Sequence, residues 1–257
     1  MYHAVQDDWP SAIAVRPSDF DEQCRWLKTS GRVLPLEEWL RQFAGTGRFS
    51  RYTAITFDDG FASVYDTAFP ILRRYGLPAT VFVVGETVAA EGRSVDWART
   101  RPPGPLRTLR PGQIREMCGS GITLGSHGHT HRDLTGLPPD ECELELRESR
   151  VALEEVLDAP VRLLAYPFGR HNAAVRRAAH RAGYSNGFGT EQGREPLGPY
   201  GIPRAGVYPV DGGAGLAIRL KASRLYPAIR RSRLYPLFRG LTGTRDGRSV
   251  EATADAV

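Results

Sequence analysis

The sequence has no apolar run long enough to span a membrane, which needs about 20 such residues. Residues 1–8 also lack the basic region and the apolar stretch of a secretory signal peptide. As written, the chain is therefore expected to stay in the cytoplasm. That expectation depends on Met1 being the true start, because a longer N-terminus could carry a targeting segment.

Cysteine is scarce in this chain. Its three cysteines, Cys24, Cys118 and Cys142, are far apart and never form a C-x-x-C pair. An odd number at such spacing argues against a disulfide framework and against a thiolate metal site. We expect all three to be thiols in the core or on helix faces.

Acidic residues are missing from residues 212–244, although the whole chain carries a net charge of only +5. The same stretch contains seven basic residues: Arg219, Lys221, Arg224, Arg230, Arg231, Arg233 and Arg239. This asymmetry predicts a main domain over residues 1–210 and a basic tail over residues 211–257, with short helices and a disordered end.

The tail mixes its basic residues with apolar ones. It is therefore a candidate for contact with a membrane surface or a polyanion, which would make the protein peripheral to the membrane. The alternative is that the tail helices pack on the main domain and leave their arginines in solvent. No recognition motif accompanies the charge, so no nucleic-acid partner is expected.

Apolar runs of strand length alternate with helical periodicity along the chain. The first helix should bury Phe20, Cys24 and Leu27 on one face, start at a Ser18 cap and end before Gly31. Further helices are predicted at 36–43, 63–75, 110–118, 138–157 and 172–182, and strands at 52–57, 79–84, 122–125, 163–166, 184–188 and 202–207. This alternation predicts an α/β fold with a mostly parallel sheet, either open or closed, and the length favours a barrel of about seven or eight strands.

Residues 91–109 interrupt this alternation and are rich in Arg, Pro and Gly. Such a composition is typical of a solvated loop. We expect an exposed insertion, with substrate contact as the alternative.

Polar side chains follow the predicted strands at their carboxyl ends, where parallel α/β folds assemble active sites. Asp58 and Asp59 follow the strand at 52–57, and His127 follows the strand at 122–125. Adjacent carboxylates on extended backbone point in different directions, so one can hold a metal while the other faces the reacting water. Asp-Asp-Gly is also common turn chemistry, which is the structural alternative.

His127 and His131 are four residues apart, a spacing that places both on one face if the segment begins a helix. With Asp59 they would form a two-His-one-carboxylate site for one divalent ion, expected to be zinc, with other divalent transition metals as alternatives. The glutamate of H-E-x-x-H is absent, which disfavours a zinc metallopeptidase of that kind. The ion would lower the pKa of a metal-bound water, which Asp58 would activate as general base.

These motifs resemble those of the polysaccharide deacetylases, the NodB-homology or carbohydrate esterase 4 group. Thr56–Gly60 is similar to the family's first motif, with Asp58 as base and Asp59 as metal ligand, and Ser126–Leu134 is similar to the second, which supplies both histidines. Tyr166-Pro167-Phe168-Gly169 resembles the third, where the backbone N–H of the aromatic after Pro helps to hold the oxyanion. The resemblance implies a distorted (β/α) barrel of about seven strands.

The chain departs from the family pattern at two positions. The arginine that orients the base two residues before the Pro of the third motif is replaced by Ala165, and Arg204 is a candidate substitute. No histidine follows His180 to serve as the late general acid. The Tyr2-His3 segment resembles the N-terminus of the poly-N-acetylglucosamine deacetylase branch, which implies His3 as the acid. The alternative for His3 is a disordered terminal histidine.

The sequence thus predicts an enzyme that removes N-acetyl groups from an N-acetylated glycan or a smaller amino-sugar compound. A hydrolase of another C–N amide bond on the same fold is the nearest alternative. A carbohydrate-binding protein that has lost turnover is a second alternative, because Ala165 replaces the orienting arginine.

Overall fold

A computed structural model of the protein describes residues 1–46, 52–88, 92–95, 97–98, 100, 102, 104–190, 197–209, 211, 215–217 and 220. Two short strands, β1 (Ala4–Val5) and β2 (Ala14–Val15), pair in parallel, and six more form one parallel sheet in chain order. These six are β3 (Thr56–Phe57), β4 (Thr80–Val83), β5 (Thr123–Ser126), β6 (Leu163–Ala165), β7 (Asn186–Thr190) and β8 (Ile202–Arg204). The predicted parallel α/β fold is confirmed.

The helices lie between the strands in sequence. They are α1 (Pro17–Ser30), α2 (Leu36–Thr46), a π-helical turn (Val64–Ala68) leading into α3 (Phe69–Tyr75), α4 (Gly85–Val88), α5 (Pro111–Gly119), α6 (Pro139–Leu157) and α7 (Ala173–Arg181), with 3-10 turns at Leu134–Gly136 and Pro167–Gly169. In the described part of the chain, no helix is both long enough and apolar enough to cross a membrane.

The N-terminal residues close the curled sheet. The Tyr2 N–H donates to Thr56 O (2.8 Å) and Asp58 N–H donates to Tyr2 O (2.9 Å), so residues 1–3 run along the free edge of β3. On the other side, the Met1 amine donates to Ala205 O (2.9 Å) and Val207 N–H donates to Met1 O (2.9 Å). The six-stranded sheet therefore becomes a distorted barrel, and the N-terminal segment occupies the position of the seventh strand.

The first barrel strand is shorter than its apolar run predicted. Residues 52–55 do not extend β3, because Thr53 pairs with the chain after α1: its N–H donates to Arg32 O (2.7 Å) and its carbonyl accepts from Leu34 N–H (2.9 Å). Thr56 and Phe57 form the strand paired with β4, and the Ile55 carbonyl before them accepts from Thr80 N–H (3.0 Å). The prediction of a strand over 52–57 was wrong in its first four residues.

Helix faces largely follow the predicted periodicity. Phe20, Cys24 and Leu27 are buried on α1, which ends at Gly31 with a left-handed φ of 61°. The predicted Ser18 cap is wrong, because Pro17 already occupies the first helical turn and no side chain caps this helix. At α7 a side chain does cap the helix: Asn172 Oδ1 accepts from Val175 N–H (3.0 Å). All three cysteines are free thiols, as expected.

The segment predicted as an exposed insertion is only partly exposed in its described residues, because its apolar side chains are packed. Val95, Leu106 and Leu109 are buried, the first two in a cluster with Trp9 and Phe61. An antiparallel bridge between Phe61 and Thr108 joins the segment to the barrel end, and a second bridge between Ser94 and Arg107 lies within the segment. Although most of the segment is polar, its few apolar side chains are buried because they cover the apolar surface around Phe61.

The tail prediction falls mostly outside the described residues, since residues 221–257 are not among them. The beginning of the predicted tail packs on the barrel. Leu216 is 2% exposed and belongs to the main core, and the Asp211 carbonyl accepts a hydrogen bond from the buried Gln23 amide.

Candidate metal and catalytic site

Three side chains from two strand ends converge at the carboxyl rim of the barrel. Asp59 Oδ1 lies 3.4 Å from His127 Nε2 and 3.2 Å from His131 Nε2. All three residues are buried, and their potential ligand atoms lie within 4.8 Å of one another. Burial alone would raise the pKa of Asp59, but its hydrogen bonds with His127 and His131 hold that pKa well below its usual value. The cluster therefore offers one carboxylate and two imidazoles to a single point.

The hydrogen bond at His127 Nδ1 leaves Nε2 as the ring atom that can bind a divalent ion. His127 Nδ1 lies 2.9 Å from the Ala165 carbonyl oxygen, which can only accept, so Nδ1 carries a proton. In the neutral ring Nε2 then turns its lone pair toward the carboxylate of Asp59. Two lone pairs do not attract, so a proton or a metal ion must lie between them. An anchored imidazole of this kind is the usual arrangement around metal-ligating histidines.

The spacing of His127 and His131 would place them on one face of a helix. The structure has no helix at these residues, so they do not share such a face. The chain from His127 to His131 is an irregular loop in which Gly128 (φ 78°) and His131 (φ 60°) have left-handed backbone. This loop reverses direction and brings the two rings to a centroid distance of 5.1 Å. The predicted pair thus comes together through this loop and not through a helix face.

Asp58 is held by Arg204 from the far end of the sheet. Two parallel hydrogen bonds of 2.7 Å join Nη1 to Oδ1 and Nη2 to Oδ2, and Arg204 Nη1 also reaches Thr56 Oγ1 (3.3 Å). The guanidinium carbon lies 5.1 Å from the ring centroid of Phe82. Burial would raise the pKa of Asp58, but the Arg204 charge, helped by His127, holds it below its usual value. Asp58 is thus an oriented carboxylate that stays ionised.

His3 lies beside Asp58 because of the strand register. Tyr2 pairs with Phe57, and their rings stack in the core at 5.4 Å. Since side chains alternate along extended backbone, the next pair, His3 and Asp58, points to the opposite side, toward the site. Burial lowers the pKa of His3, partly opposed by the charges of Asp59 and Asp58. The structure therefore places His3 at the site.

The third motif contributes through Phe168. The residue is 50% exposed and has a φ of 57°, and its ring meets His131 edge-on at a centroid distance of 4.7 Å. Tyr166 turns away: its N–H donates to Phe188 O (2.9 Å) and its hydroxyl donates to Tyr200 O (3.0 Å). Pro167 has no N–H. Of the three predicted residues, only Phe168 therefore has a backbone N–H that is a candidate oxyanion donor.

Trp97 is a site residue that the sequence reasoning missed. Its ring stacks on His131 at 4.8 Å with an interplanar angle of 24°, on the segment expected to be a solvated loop. The sequence did offer one signal for it, a single tryptophan in a stretch that is otherwise rich in Arg, Pro and Gly. The aromatic rings of Trp97 and Phe168 both contact His131.

Residues 48–187 match the sequence profile of a family described as polysaccharide deacetylase. The chain belongs to the polysaccharide deacetylase family. This confirms the family predicted from the motifs at Asp58-Asp59, His127/His131 and Tyr166–Gly169.

Two known relatives have sequences similar to that of this chain. YxkH of Bacillus subtilis (strain 168), assigned by name to the polysaccharide deacetylases, is 27% identical over 228 residues, 87% of this chain and 76% of its own length. The poly-β-1,6-N-acetyl-D-glucosamine N-deacetylase of Staphylococcus aureus (strain MRSA252) is 26% identical over 190 residues, which are 70% of this chain and 62% of the relative.

A solved structure also shares the fold. The Streptococcus pyogenes deacetylase PplD, determined with acetate, superposes with a TM-score of 0.71 at 25% identity. The match covers 86% of this chain and 96% of PplD. The predicted distorted barrel is thereby confirmed.

Proposed function

We propose that the protein is a divalent-metal-dependent N-deacetylase of an N-acetylated glycan. The observation that carries the proposal is that two adjacent carboxylates at one rim have different partners. Asp59 faces two imidazoles, whereas the adjacent Asp58 faces a bidentate guanidinium. One carboxylate is thus built to hold a cation and the other to remain a free base.

Asp59 Oδ1, His127 Nε2 and His131 Nε2 would hold the ion. Two neutral imidazoles and one carboxylate suit zinc and other divalent transition metals, and they leave coordination positions for water and substrate. When bound, such an ion acts as a Lewis acid toward the acetyl carbonyl and the attacking water.

Asp58 would take the proton from the attacking water. For this it must be ionised and correctly aimed, and Arg204 supports both requirements through the same two hydrogen bonds. Attack of the water oxygen on the acetyl carbon forms the new C–O bond. The Phe168 N–H would then donate to the developing oxyanion.

His3 would complete the reaction. Cleavage of the C–N bond leaves an amine that needs a proton, and His3 lies beside Asp58 at the same rim. Protonation by His3 releases the free amine of the sugar, while acetate is the other product. This division makes Asp58 the base and His3 the acid.

The substrate class follows from the relatives together with the aromatic surroundings of the site. The S. aureus relative is named for poly-β-1,6-N-acetyl-D-glucosamine, and Phe168 presents an exposed ring at the rim. We infer that the substrate is a polymer or oligomer containing N-acetylglucosamine.

The test is acetate release from β-1,6-linked N-acetylglucosamine oligomers, with and without a chelator. We expect chelation to abolish release and a stoichiometric amount of zinc to restore it. Asp58→Asn should retain the metal but lose turnover by about 100-fold or more, because a general base contributes at least that much. Asp66→Asn, which removes one exposed charge elsewhere, is the matched control.

Two results would contradict the proposal. Turnover that survives complete removal of the metal would exclude metal dependence. Stoichiometric metal with no acetate from any N-acetylated sugar would favour a carbohydrate-binding protein or a hydrolase of another amide.

A further inference from the structure

The irregular loop between the two proposed metal ligands is fixed by one buried carboxylate. Glu145, on α6, accepts from His129 N–H (2.9 Å), Thr130 N–H (2.6 Å) and Thr130 Oγ1 (2.9 Å). Its other oxygen lies 3.1 Å from the same hydroxyl. The side chain is buried, with the residue 6% exposed. One carboxylate therefore satisfies two successive amides that have no helical partner.

Ser149 adds a second anchor on the same face of α6, four residues after Glu145. Its hydroxyl donates to Gly128 O (2.8 Å) and lies 2.7 Å from Ser126 Oγ, which in turn accepts from Gly128 N–H (3.2 Å). The first half of the loop is thus hydrogen-bonded to Ser149, and the second half to Glu145.

The first residues of α4 also hydrogen-bond to the loop. Gly85 N–H donates to Gly128 O and Glu86 N–H donates to His129 O, each at 2.9 Å. Gly85 permits this approach, because a Cβ there would lie 2.8 Å from Ser149 Cα and 2.9 Å from His129 Nδ1. The loop is therefore held through its amides by Glu145 and through its carbonyls by α4.

This support matters because the loop carries strained backbone at a proposed ligand. His131 has a left-handed φ of 60°, which a residue with a Cβ adopts only when its surroundings impose it. Thr130, bonded to Glu145 through both its amide and its hydroxyl, directly precedes His131. Loss of these bonds would let the loop relax and separate His131 from Asp59 and His127.

We propose that Glu145 is a positioning residue that pre-forms the His127–His131 ligand pair, with Ser149 as its helper. The inference rests on the proposed metal site and goes beyond it by assigning metal affinity to a residue that does not touch the ion. Partners of ligands in other metalloproteins typically change metal affinity by 10–100-fold when they are removed.

The experiment measures zinc affinity by competition with a chromophoric chelator, together with the thermal stability of the metal-free protein. We expect Glu145→Ala to weaken zinc binding about 10–100-fold. Glu145→Gln should weaken it less, because its amide oxygen still accepts from both backbone N–H groups. Thr130→Val should also weaken it, since it removes the hydroxyl while leaving both amides. Glu155→Gln removes an exposed charge from the same helix and should bind as the wild type does.

The outcomes separate this inference from the proposed function. If the wild type itself binds no divalent ion, the proposed metal site is wrong. If the wild type binds zinc and folded Glu145→Ala binds it within about threefold of that affinity, Glu145 does not position the ligands. Should Glu145→Ala fail to fold, Glu145→Gln and Thr130→Val decide: unchanged affinity in both overturns the inference, whereas weaker affinity at unchanged stability of the metal-free protein supports it.

Discussion

Replacing Arg204 by methionine tests the central electrostatic feature of the site. The substitution keeps an unbranched side chain between Phe82 and Phe188, whose ring centroids lie 5.1 and 5.9 Å from the guanidinium carbon, but removes the charge. Asp58 is then left as a buried carboxylate without its bidentate partner, in a pair whose side chains are only 7% and 4% exposed. Removing one partner of a buried ion pair costs about 3–5 kcal/mol, so we expect the free energy of unfolding at neutral pH to fall by that amount.

The pH dependence gives the prediction its sign. In the wild type the folded-state pKa of Asp58 is lowered, so the stability from the pair is present above the unfolded pKa of about 3.9 and is lost as the pH falls through the lower folded value. Without Arg204, burial should raise the folded pKa of Asp58. The variant then loses stability as the pH rises above about 4, and the difference between the two proteins grows toward neutrality.

The assay is urea unfolding of the metal-free proteins at several pH values between about 4 and 8. Arg74→Met is the matched control, because Arg74 Nη1 also lies 2.7 Å from a carboxylate, that of Asp21, but with side chains 63% and 30% exposed. An exposed pair contributes at most about 1 kcal/mol. The reasoning is refuted if Arg204→Met and Arg74→Met lose the same small amount and neither difference changes with pH.

Two further predictions concern the acid and the barrel packing. His3→Ala should lower kcat/KM about 100-fold with zinc content unchanged, and a loss below about threefold would remove His3 from the mechanism. Gly125→Ala should lower the free energy of unfolding by about 1–3 kcal/mol or more, because a Cβ there would lie 2.5 Å from the Phe82 ring and 3.0 Å from Leu163 O. Gly112→Ala, where a Cβ meets nothing within 4 Å, is its control in the same urea assay, and equal stability of the two variants would contradict the packing argument.

The sequence by itself determined the fold class and singled out the residues of the Asp59–His127–His131 cluster. Alternation of strand and helix periodicity is local, and it was sufficient to place most elements within a few residues. Because parallel strands end at one rim, Asp59 and His127 could be expected to meet without any knowledge of side-chain positions. The strand predicted over residues 52–57 was wrong in its first part because the pairing there is non-local. Thr53 pairs with residues 32–34 instead of extending β3.

Only the tertiary structure decided which side chains complete the site. The family resemblance made Arg204 a candidate to orient the base, but its contact with Asp58 follows only from the closure of the sheet by the N-terminal segment. That closure leaves no periodic signal in the sequence. The same holds for Trp97, which stacks on His131 after its segment packs on an apolar rim. The i, i+4 histidine spacing singled out His127 and His131, but the loop between them takes its shape from hydrogen bonds with the Glu145 carboxylate and the first amides of α4. Local patterns fix elements, whereas long-range packing and hydrogen bonding fix the orientation of the groups that the proposed chemistry needs.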